Sequence, residues 1–354
     1  MTKLRNLIPV LILLFIISCE PNEDKNPYTF PLASEQNINP DDLANAYQEA
    51  DDISGLKSLL VSRNGVLVAE EYFTEMGADD LYETRSVTKS IISLLIGIAI
   101  NEGFLEGIDQ TLDEFLSPLG YTLEGEKATI TIENLLTMSA GFEWNEFETG
   151  YSYGDWVRSD DQIEYCINGD LVSTPGKAFG YSSEEAHLLS VILTEATEMS
   201  THDFAYEYFF EPLGIGIEDF GWGQFLQGYF NGGADLSLKP KDMIKIGNLY
   251  LNSGLYNGTQ IVSSQWVQES TSYHITTNLG GYAPDYGYLF WMNLNSANKF
   301  YCANGYGGQL IVVFPDLELV VVTTSEWQLS TSDASQQWYN VMSLIQNEVL
   351  NSVN

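Results

Sequence analysis

The sequence predicts an α+β domain in which an antiparallel sheet is flanked by helices and carries a mostly helical inserted subdomain. Three observations lead to this prediction: strand patterns near residue 60, helical patterns through the middle of the chain, and strand patterns again near its end. Strands at both ends of the domain must share one sheet to bury their apolar faces. Because no repeat or low-complexity linker divides the roughly 300 residues that follow the N-terminal region, we predict one globular unit.

The first predicted elements are a β-hairpin and a buried helix. Residues 57–62 and 66–72 alternate apolar and polar side chains, and Asn64-Gly65 supplies a two-residue turn between them. The following run, 90–100, is apolar almost all round. That pattern is typical of a helix in the middle of a domain rather than on its surface.

Later segments complete the predicted domain. The helical patterns lie at 132–138, 184–198, 204–210, 241–251 and 334–349, and the strand patterns lie at 287–292, 310–314 and 317–323. We predict an α/β part formed by 46–105 and 275–354 and a helical insert at 106–274. A cleft between two such parts is a natural place for a binding site.

The N-terminal region predicts export. Lys3 and Arg5 precede an apolar core that is too short to span a bilayer. The core ends at Cys19 in a pattern that resembles the bacterial lipobox, whose cysteine is lipidated; an ordinary signal peptide with an incidental cysteine is the alternative. We therefore predict a lipoprotein signal peptide at 1–18 and a flexible tether at 19–45. The predicted location is the bacterial cell envelope, with the lipid anchor as the only membrane contact.

The composition is strongly acidic. The chain has 14 Lys and Arg against 49 Asp and Glu, a formal net charge of −35 at pH 7. No basic patch can be assembled from so few cations, which excludes nucleic-acid binding as a main activity. We interpret the charge as a solvated acidic surface, with recognition of a cationic substrate as the alternative.

The cysteine and histidine content predicts no metal and no cofactor. His187, His202 and His274 fit no zinc-site spacing, and the chain has no Gly-x-Ser-x-Gly elbow and no phosphate-binding glycine loop. Cys166 and Cys302 either pair in an oxidising compartment or stay buried and free. The sequence leaves the oligomeric state open.

The tetrapeptide Ser-Val-Thr-Lys at 86–89 heads the apolar helix. This spacing places a hydroxyl and an amine one helical turn apart on one face. A desolvated lysine loses its charge near neutral pH and can then take the proton of the serine, which makes a nucleophile without histidine. The alternative is that Ser86 only caps the helix and Lys89 is solvated. A second Ser-x-x-Lys at 54–57 contains glycine and leads into a strand, so we discount it.

Two further segments offer the groups that such a pair needs. Tyr181 and Ser183 lie in a loop that contains Pro and Gly, just before a predicted helix. A phenol at this position can relay a proton to a leaving group. The alternative is that Tyr181 only packs within its loop. Glycines at 305–308 precede the strand at 310–314, so a substrate lying along this strand could approach the backbone N–H of Gln309. A simple β-turn is the alternative there.

Together and in this order, the three elements resemble the serine β-lactamase and penicillin-binding-protein superfamily. The resemblance is nearest to its class C-like branch, which includes esterases, D-aminopeptidases and 6-aminohexanoate-dimer hydrolases. It extends from about residue 55 to residue 350 and includes 130–141, 210–214 and 232–237 outside the site. The resemblance implies a β-lactamase/transpeptidase-like fold.

The resemblance also implies roles for the site residues. Ser86 would be the acylated nucleophile, Lys89 its general base and Tyr181 the acid/base for the leaving group and for deacylation. Ser183, where the family usually has Asn, would orient Lys89 or the substrate. The oxyanion hole would be the N–H groups of Ser86 and Gln309.

One departure from the family pattern bears on the substrate. The Lys-Thr-Gly box of the family corresponds here to Tyr306, Gly307 and Gly308, which carry no cation. Because these residues provide no positive charge to bind the carboxylate of a β-lactam, we expect antibiotic hydrolysis to be poor. Aromatic residues of the insert are candidates for a substrate pocket or for packing: Trp144, Tyr151, Tyr153, Trp156 and Trp222.

The sequence thus predicts an envelope-anchored serine hydrolase that cleaves a carboxylic ester or a small amide through an acyl-enzyme. One alternative is a D-amino-acid or DD-peptidase acting on cell-wall peptides. Another is a catalytically silent ligand-binding lipoprotein of the same fold.

Overall fold

An eight-stranded sheet organises the computed structural model, which describes residues 26–147, 152–277 and 281–354. Every neighbouring pair in it is antiparallel. The strands are β1 (Leu56–Arg63), β2 (Val66–Tyr72), β3 (Tyr82–Glu83), β4 (Phe220–Trp222), β5 (Leu236–Leu238), β6 (Leu255–Tyr256), β7 (Thr259–Gln260), β8 (Ile275–Thr276), β9 (Asp285–Tyr286), β10 (Trp291–Asn293), β11 (Phe300–Gly305), β12 (Gln309–Phe314) and β13 (Leu319–Ser325). The order in the large sheet is β2-β1-β13-β12-β11-β10-β9-β8, with β3-β5-β4 and β6-β7 as small separate sheets.

The two ends of the domain share the large sheet, which confirms the predicted fold class. β1 pairs along its length with β13, from Leu56 opposite Ser325 to Arg63 opposite Leu319. The β1–β2 hairpin also forms as predicted. Its turn residues have left-handed backbones, φ 52° at Asn64 and 75° at Gly65, as a tight hairpin turn between right-twisted strands requires.

Helices surround the sheet and fill the middle of the chain. They are α1 (Pro40–Asp51), α2 (Val87–Asn101), α3 (Leu112–Leu116), α4 (Ile132–Leu136), α5 (Tyr153–Val157), α6 (Gln162–Asn168), α7 (Ser183–Thr197), α8 (Thr201–Ala205), α9 (Pro240–Leu251), α10 (Ser264–Ser270) and α11 (Thr331–Leu344). α2 is buried along almost its whole length, in keeping with its all-round apolar sequence. None of the described helices is both long and apolar enough to cross a membrane.

α9 packs on the sheet and corrects the predicted boundary of the insert. The prediction places 241–251 within the helical insert at 106–274, yet α9 contacts β13, β12 and β1. Its Gly247 lets the helix approach closely, because a Cβ there would lie 2.4 Å from the Val320 side chain. Helical periodicity shows which face of α9 is apolar but not which layer covers that face, so the sequence alone misplaces the helix.

The predicted tether is also corrected. In the described part of 19–45, Phe30, Ala33 and Ile38 are buried, and α1 begins at Pro40 with the Asn39 side chain as its cap. These apolar residues are few and are interspersed with Pro and Asn, so their burial has no periodic signal in the sequence. The predicted signal peptide and Cys19 lie outside the described residues.

Smaller differences concern the last third of the chain. The pattern at 287–292 predicts a strand, but β10 covers only Trp291–Asn293 because Leu289 has a left-handed backbone, φ 60°. β11 has no counterpart among the predicted strands, because its residues alternate only weakly between apolar and polar. The final helix ends its regular α-helical part at Leu344 and continues through a wider turn at Ile345–Val349.

The Gly247 contact predicts a stability effect. We expect Gly247→Ala to lower the free energy of unfolding by about 1–3 kcal/mol, because the added methyl overpacks the α9–β13 contact. Gly77→Ala is the matched control, since a Cβ at Gly77 meets nothing within 4 Å. Urea unfolding followed by circular dichroism measures both. Equal stability of the two variants would contradict the close packing of α9 on the sheet.

Candidate active site

Ser86 lies at the N-terminus of α2, where the chain turns sharply from β3 into the helix. The preceding residue, Arg85, has a left-handed backbone, φ 51°. The Ser86 side chain caps no backbone N–H of the helix; instead its Oγ accepts a hydrogen bond of 2.8 Å from Lys89 Nζ. The predicted serine–lysine pair is therefore brought together, and the interpretation of Ser86 as a mere helix cap is not supported. The other Ser-x-x-Lys lies elsewhere, with Lys57 in β1 paired to Glu326 at 3.1 Å.

Lys89 is almost fully buried and has three acceptors. Besides Ser86, its Nζ donates to Ser183 Oγ at 2.9 Å and to the Gly233 carbonyl oxygen at 2.8 Å. Burial lowers the pKa of Lys89 to about 8, against the opposing field of Glu146 and with a smaller lowering by Arg85. A minor fraction of the amine is thus already neutral at pH 7, and this form is able to accept a proton from Ser86.

Tyr181 completes a triangle with this pair. Lys89 Nζ lies 4.9 Å from the centroid of the Tyr181 ring, and the ring packs on Trp291 at 5.5 Å between centroids. Burial and the field of Glu146 raise the pKa of Tyr181 above its usual range, while a hydrogen bond with Ser86 acts in the opposite direction. The phenol therefore keeps its proton at neutral pH and is suited to donate it to a leaving group.

Ser183 is the first residue of α7, one position inside the helix that it was predicted to precede. The helix begins there because the Ser182 side chain accepts from the Glu185 N–H at 3.2 Å, an N-cap. The Ser183 hydroxyl accepts from Lys89 and donates to Glu146 Oε1. It therefore joins the amine to a carboxylate rather than facing the cavity alone.

The turn between β11 and β12 corrects part of the predicted oxyanion site. Tyr306 and Gly307 line the same cavity as Ser86, but Gly308 and Gln309 do not. Gln309 is fully buried, and its amide bonds with the backbone of Ser325 through both Nε2 and Oε1. A backbone N–H in that position cannot reach a substrate. The C-terminal end of β11, a strand that has no counterpart among the predicted strands, supplies the cavity wall instead.

The end of β11 approaches the nucleophile closely. Asn304 and Gly305 line the cavity, and a Cβ at Gly305 would lie 2.4 Å from the Thr84 carbonyl oxygen. β10 pairs with β11 only from Phe300 to Cys302, so the described structure places no ladder partner from β10 beside this end. Backbone groups are thus available at the cavity near Ser86.

The cavity has a volume of about 820 Å³, and its wall is dominated by aromatic rings. The rings are Phe147, Tyr153, Tyr181, Tyr282, Trp291, Tyr306, Trp327, Trp338 and Tyr339. The charged lining residues in the described part of the chain are Arg85 and Glu146. Arg85 is offset by Glu83 and Asp235, at 3.9 and 3.6 Å. The volume and the largely apolar wall suit a small organic molecule.

The aromatic residues suggested by sequence divide between cavity and core. Tyr153 lines the cavity, whereas Trp156 is fully buried in the helical part. Trp144 donates to Glu146 at 2.6 Å, and Trp222 donates to the Asn231 carbonyl oxygen at 2.8 Å. Tyr151 lies outside the described residues. Most of the remaining rings come from the C-terminal third, and among these Tyr306 alone is predicted from the sequence as a site residue.

Sequence reasoning misses Glu146 and the Gly233 carbonyl. Glu146 is one acidic residue among many in a loop, and no local pattern indicates that it contacts Ser183. The segment containing Gly233 is noted for its family resemblance, but its contact with Lys89 depends on the fold. Cys166 and Cys302 are both buried and free, which decides between the two alternatives left open for them.

A serine hydroxyl bonded to a buried lysine, at the floor of an apolar cavity and beside a tyrosine, is an arrangement typical of a serine hydrolase. The beta-lactamase family profile matches residues 41–345. The chain belongs to this family of serine hydrolases, as its motifs predict.

Known proteins agree with this assignment. A 6-aminohexanoate-dimer hydrolase of Paenarthrobacter ureafaciens is 24% identical over 315 residues, which are 81% of this chain and 76% of that protein. A Bacillus anthracis structure assigned as a 6-aminohexanoate-dimer hydrolase has a TM-score of 0.72 at 19% identity, covering 87% of this chain and 83% of that one. A family VIII carboxylesterase has a TM-score of 0.66 at 16% identity, covering 89% and 98%. These structures establish the β-lactamase/transpeptidase-like fold.

The lowered pKa of Lys89 predicts a pH dependence. The rate at which a fluorophosphonate labels Ser86 should rise with pH up to about 8 and then level off, because only the neutral amine accepts the serine proton. No descending limb is expected near neutral pH, since Tyr181 keeps its proton. Intact-mass spectrometry across a pH series gives the rate, with Ser86→Ala as the unlabelled control. A rate that does not change with pH would contradict the role of Lys89 as base.

Proposed function

We propose that this protein hydrolyses a carboxylic ester or a small amide through an acyl-enzyme on Ser86. The observation that carries the proposal is the 2.8 Å hydrogen bond between Ser86 Oγ and a buried Lys89. The relatives support the reaction class, because by name one is a 6-aminohexanoate-dimer hydrolase and another is a carboxylesterase.

The proposed acylation begins with a proton transfer. Ser86 Oγ loses its proton to Lys89 Nζ and attacks the carbonyl carbon, so one O–C bond forms and the carbonyl π pair moves to oxygen. The N–H of Ser86, at the positive end of α2, and a backbone N–H from the end of β11 are suited to hold this oxyanion. Tyr181 then protonates the leaving group as the C–O or C–N bond breaks, and Lys89 returns the proton to Tyr181.

Deacylation uses the same groups in reverse. A water molecule in the place of the leaving group gives a proton to the Tyr181/Lys89 pair and attacks the acyl carbon. The bond to Ser86 Oγ then breaks, and Oγ recovers its proton from Lys89. Each well-placed oxyanion donor contributes about 3–4 kcal/mol of barrier lowering to both halves of the reaction.

The lining of the cavity favours an uncharged substrate with apolar or aromatic groups. Nine aromatic side chains of the described residues line the cavity, and its cation, Arg85, is already offset by two carboxylates. A substrate carboxylate would meet Glu146 and a phenol at Tyr306 instead of a lysine. For this reason we favour neutral esters and amides over β-lactams and over peptides with a free C-terminal carboxylate.

The test compares p-nitrophenyl acetate, p-nitrophenyl butyrate and nitrocefin. We expect ester turnover by the wild type, loss of roughly a thousand-fold or more in Ser86→Ala, and little turnover of nitrocefin. Ser54→Ala, in the exposed second Ser-x-x-Lys, is the matched control and should keep full activity. Nitrocefin hydrolysis as fast as ester hydrolysis would overturn the substrate preference. Absence of Ser86-dependent turnover on all three would favour a specialised cell-wall peptidase or a silent binding protein.

We also propose that the protein is held at the cell envelope by a lipid on Cys19. The support is the lipobox-like sequence that ends at this residue. In bacteria fed a labelled fatty acid, the wild type should carry the label and sediment with membranes, whereas Cys19→Ser should not. A Cys19→Ser protein that still carries the label would contradict the proposal.

A further inference from the structure

A carboxylate is joined to the proposed base through a single hydroxyl. Ser183 Oγ accepts from Lys89 Nζ at 2.9 Å and donates to Glu146 Oε1, and the Ser183 N–H donates to Glu146 Oε2 at 3.0 Å. Trp144 Nε1 also donates to Oε2, at 2.6 Å. Glu146 therefore lies at the N-terminus of α7, where the helix dipole and free N–H groups favour a negative charge.

This arrangement fixes the direction of each hydrogen bond around Lys89. The Ser183 proton is committed to Glu146, so toward Lys89 its oxygen can only accept. The Gly233 carbonyl oxygen can also only accept. A neutral amine has two N–H groups and one lone pair. With both N–H groups directed to Ser183 and Gly233, the lone pair is left for the proton of Ser86.

We propose that Glu146 is a positioning residue that, through Ser183, directs the lone pair of Lys89 at Ser86 and stabilises the ammonium formed during acylation. The inference rests on the proposed function of Ser86 and Lys89. Glu146 itself neither gains nor loses a proton. The proton of Ser86 moves to Lys89, and the carboxylate, linked by the Ser183 hydroxyl, offsets the positive charge until Tyr181 passes a proton to the leaving group.

Other charged groups also act on Lys89 and on the neighbouring phenols. Asp235 favours the charged form of Lys89, as Glu146 does, and Arg85 opposes it. The phenols of Tyr153 and Tyr181 also lie in the field of Glu146. Among these groups Glu146 is joined to the base by one bridging hydroxyl, whereas Asp235 is paired with Arg85 at 3.6 Å.

Glu146→Gln tests the proposal because the amide has a forced orientation. Its oxygen must face the two donors, Trp144 Nε1 and the Ser183 N–H, so its NH₂ faces Ser183 Oγ. Ser183 then turns its own proton toward Lys89 and engages the lone pair that Ser86 needs. We expect the high-pH plateau of kcat to fall roughly ten- to hundred-fold. In the pH profile of kcat, we expect the acidic limb to move down by roughly one pH unit. The reason is that the negative charge that favours the ammonium form of Lys89 has been removed.

Glu143→Gln is the matched control. It removes an equal charge from an exposed position on the same loop and should leave both the plateau and the limb unchanged. A double-mutant cycle with Ser183→Ala gives a second readout. If Glu146 acts through Ser183, Glu146→Gln should lower the plateau much less in the Ser183→Ala background than in the wild type.

Three outcomes would overturn the proposal. In Glu146→Gln, a lower kcat plateau without a shift of the acidic limb would indicate a structural role only. A higher KM with unchanged kcat would indicate that Glu146 binds the substrate directly. Additive effects of the two substitutions would show that Glu146 does not act through Ser183. These results all require a wild type with Ser86-dependent turnover. Its absence would instead be a failure of the proposed function, and the Lys89 titration followed by ¹³C-lysine NMR would still report whether Glu146→Gln lowers the pKa.

Discussion

Burial of the Lys89 amine is the constraint on which the rest of the site depends. A lysine in an apolar interior is costly unless each N–H has an acceptor. Its acceptors come from three separate parts of the chain: Ser86 before α2, Ser183 at the start of α7, and Gly233 in the segment before β5. Satisfying one amine therefore fixes the relative positions of these three segments, and with them the floor of the cavity.

The surroundings of Lys89 balance two opposing requirements. Dry packing of α2 lowers the pKa of Lys89 to about 8, as its proposed role as a base requires. A base that gives up its charge too readily would hold the transferred proton poorly, and the Glu146 carboxylate works in the other direction. Ser183, a hydroxyl where the family usually has an amide, can accept from Lys89 and donate to Glu146 at the same time. The Ser183 side chain thus links the desolvated Lys89 amine to the carboxylate that opposes its loss of charge.

The position of Ser86, the proposed nucleophile, depends on a locally strained backbone. Arg85 is held in a left-handed conformation, which for a residue with a long side chain costs on the order of 1–3 kcal/mol. Its N–H donates to Glu83 Oε1 at 3.1 Å, and its guanidinium lies 4.8 Å from the Trp327 ring. These contacts offset the strain and keep Ser86 at the cavity, at the end of α2. They also occupy the cation of the cavity, which leaves an aromatic wall with little net positive charge.

The sequence by itself determined the fold class, the serine–lysine pair and the buried helix, because each depends on local periodicity or on spacing within one turn. It also located Tyr181 and Ser183 through a punctuated loop. The part of the cavity wall formed by the end of β11, the Glu146 contact and the layer that contains α9 were decided by tertiary structure alone. Gln309 and Glu146 show why: a strand end and a loop carboxylate have no periodic signature, and their roles are set by which distant segment packs against them. Local chemistry is encoded along the chain, but the partners of a buried polar group are defined only when the chain has closed around it.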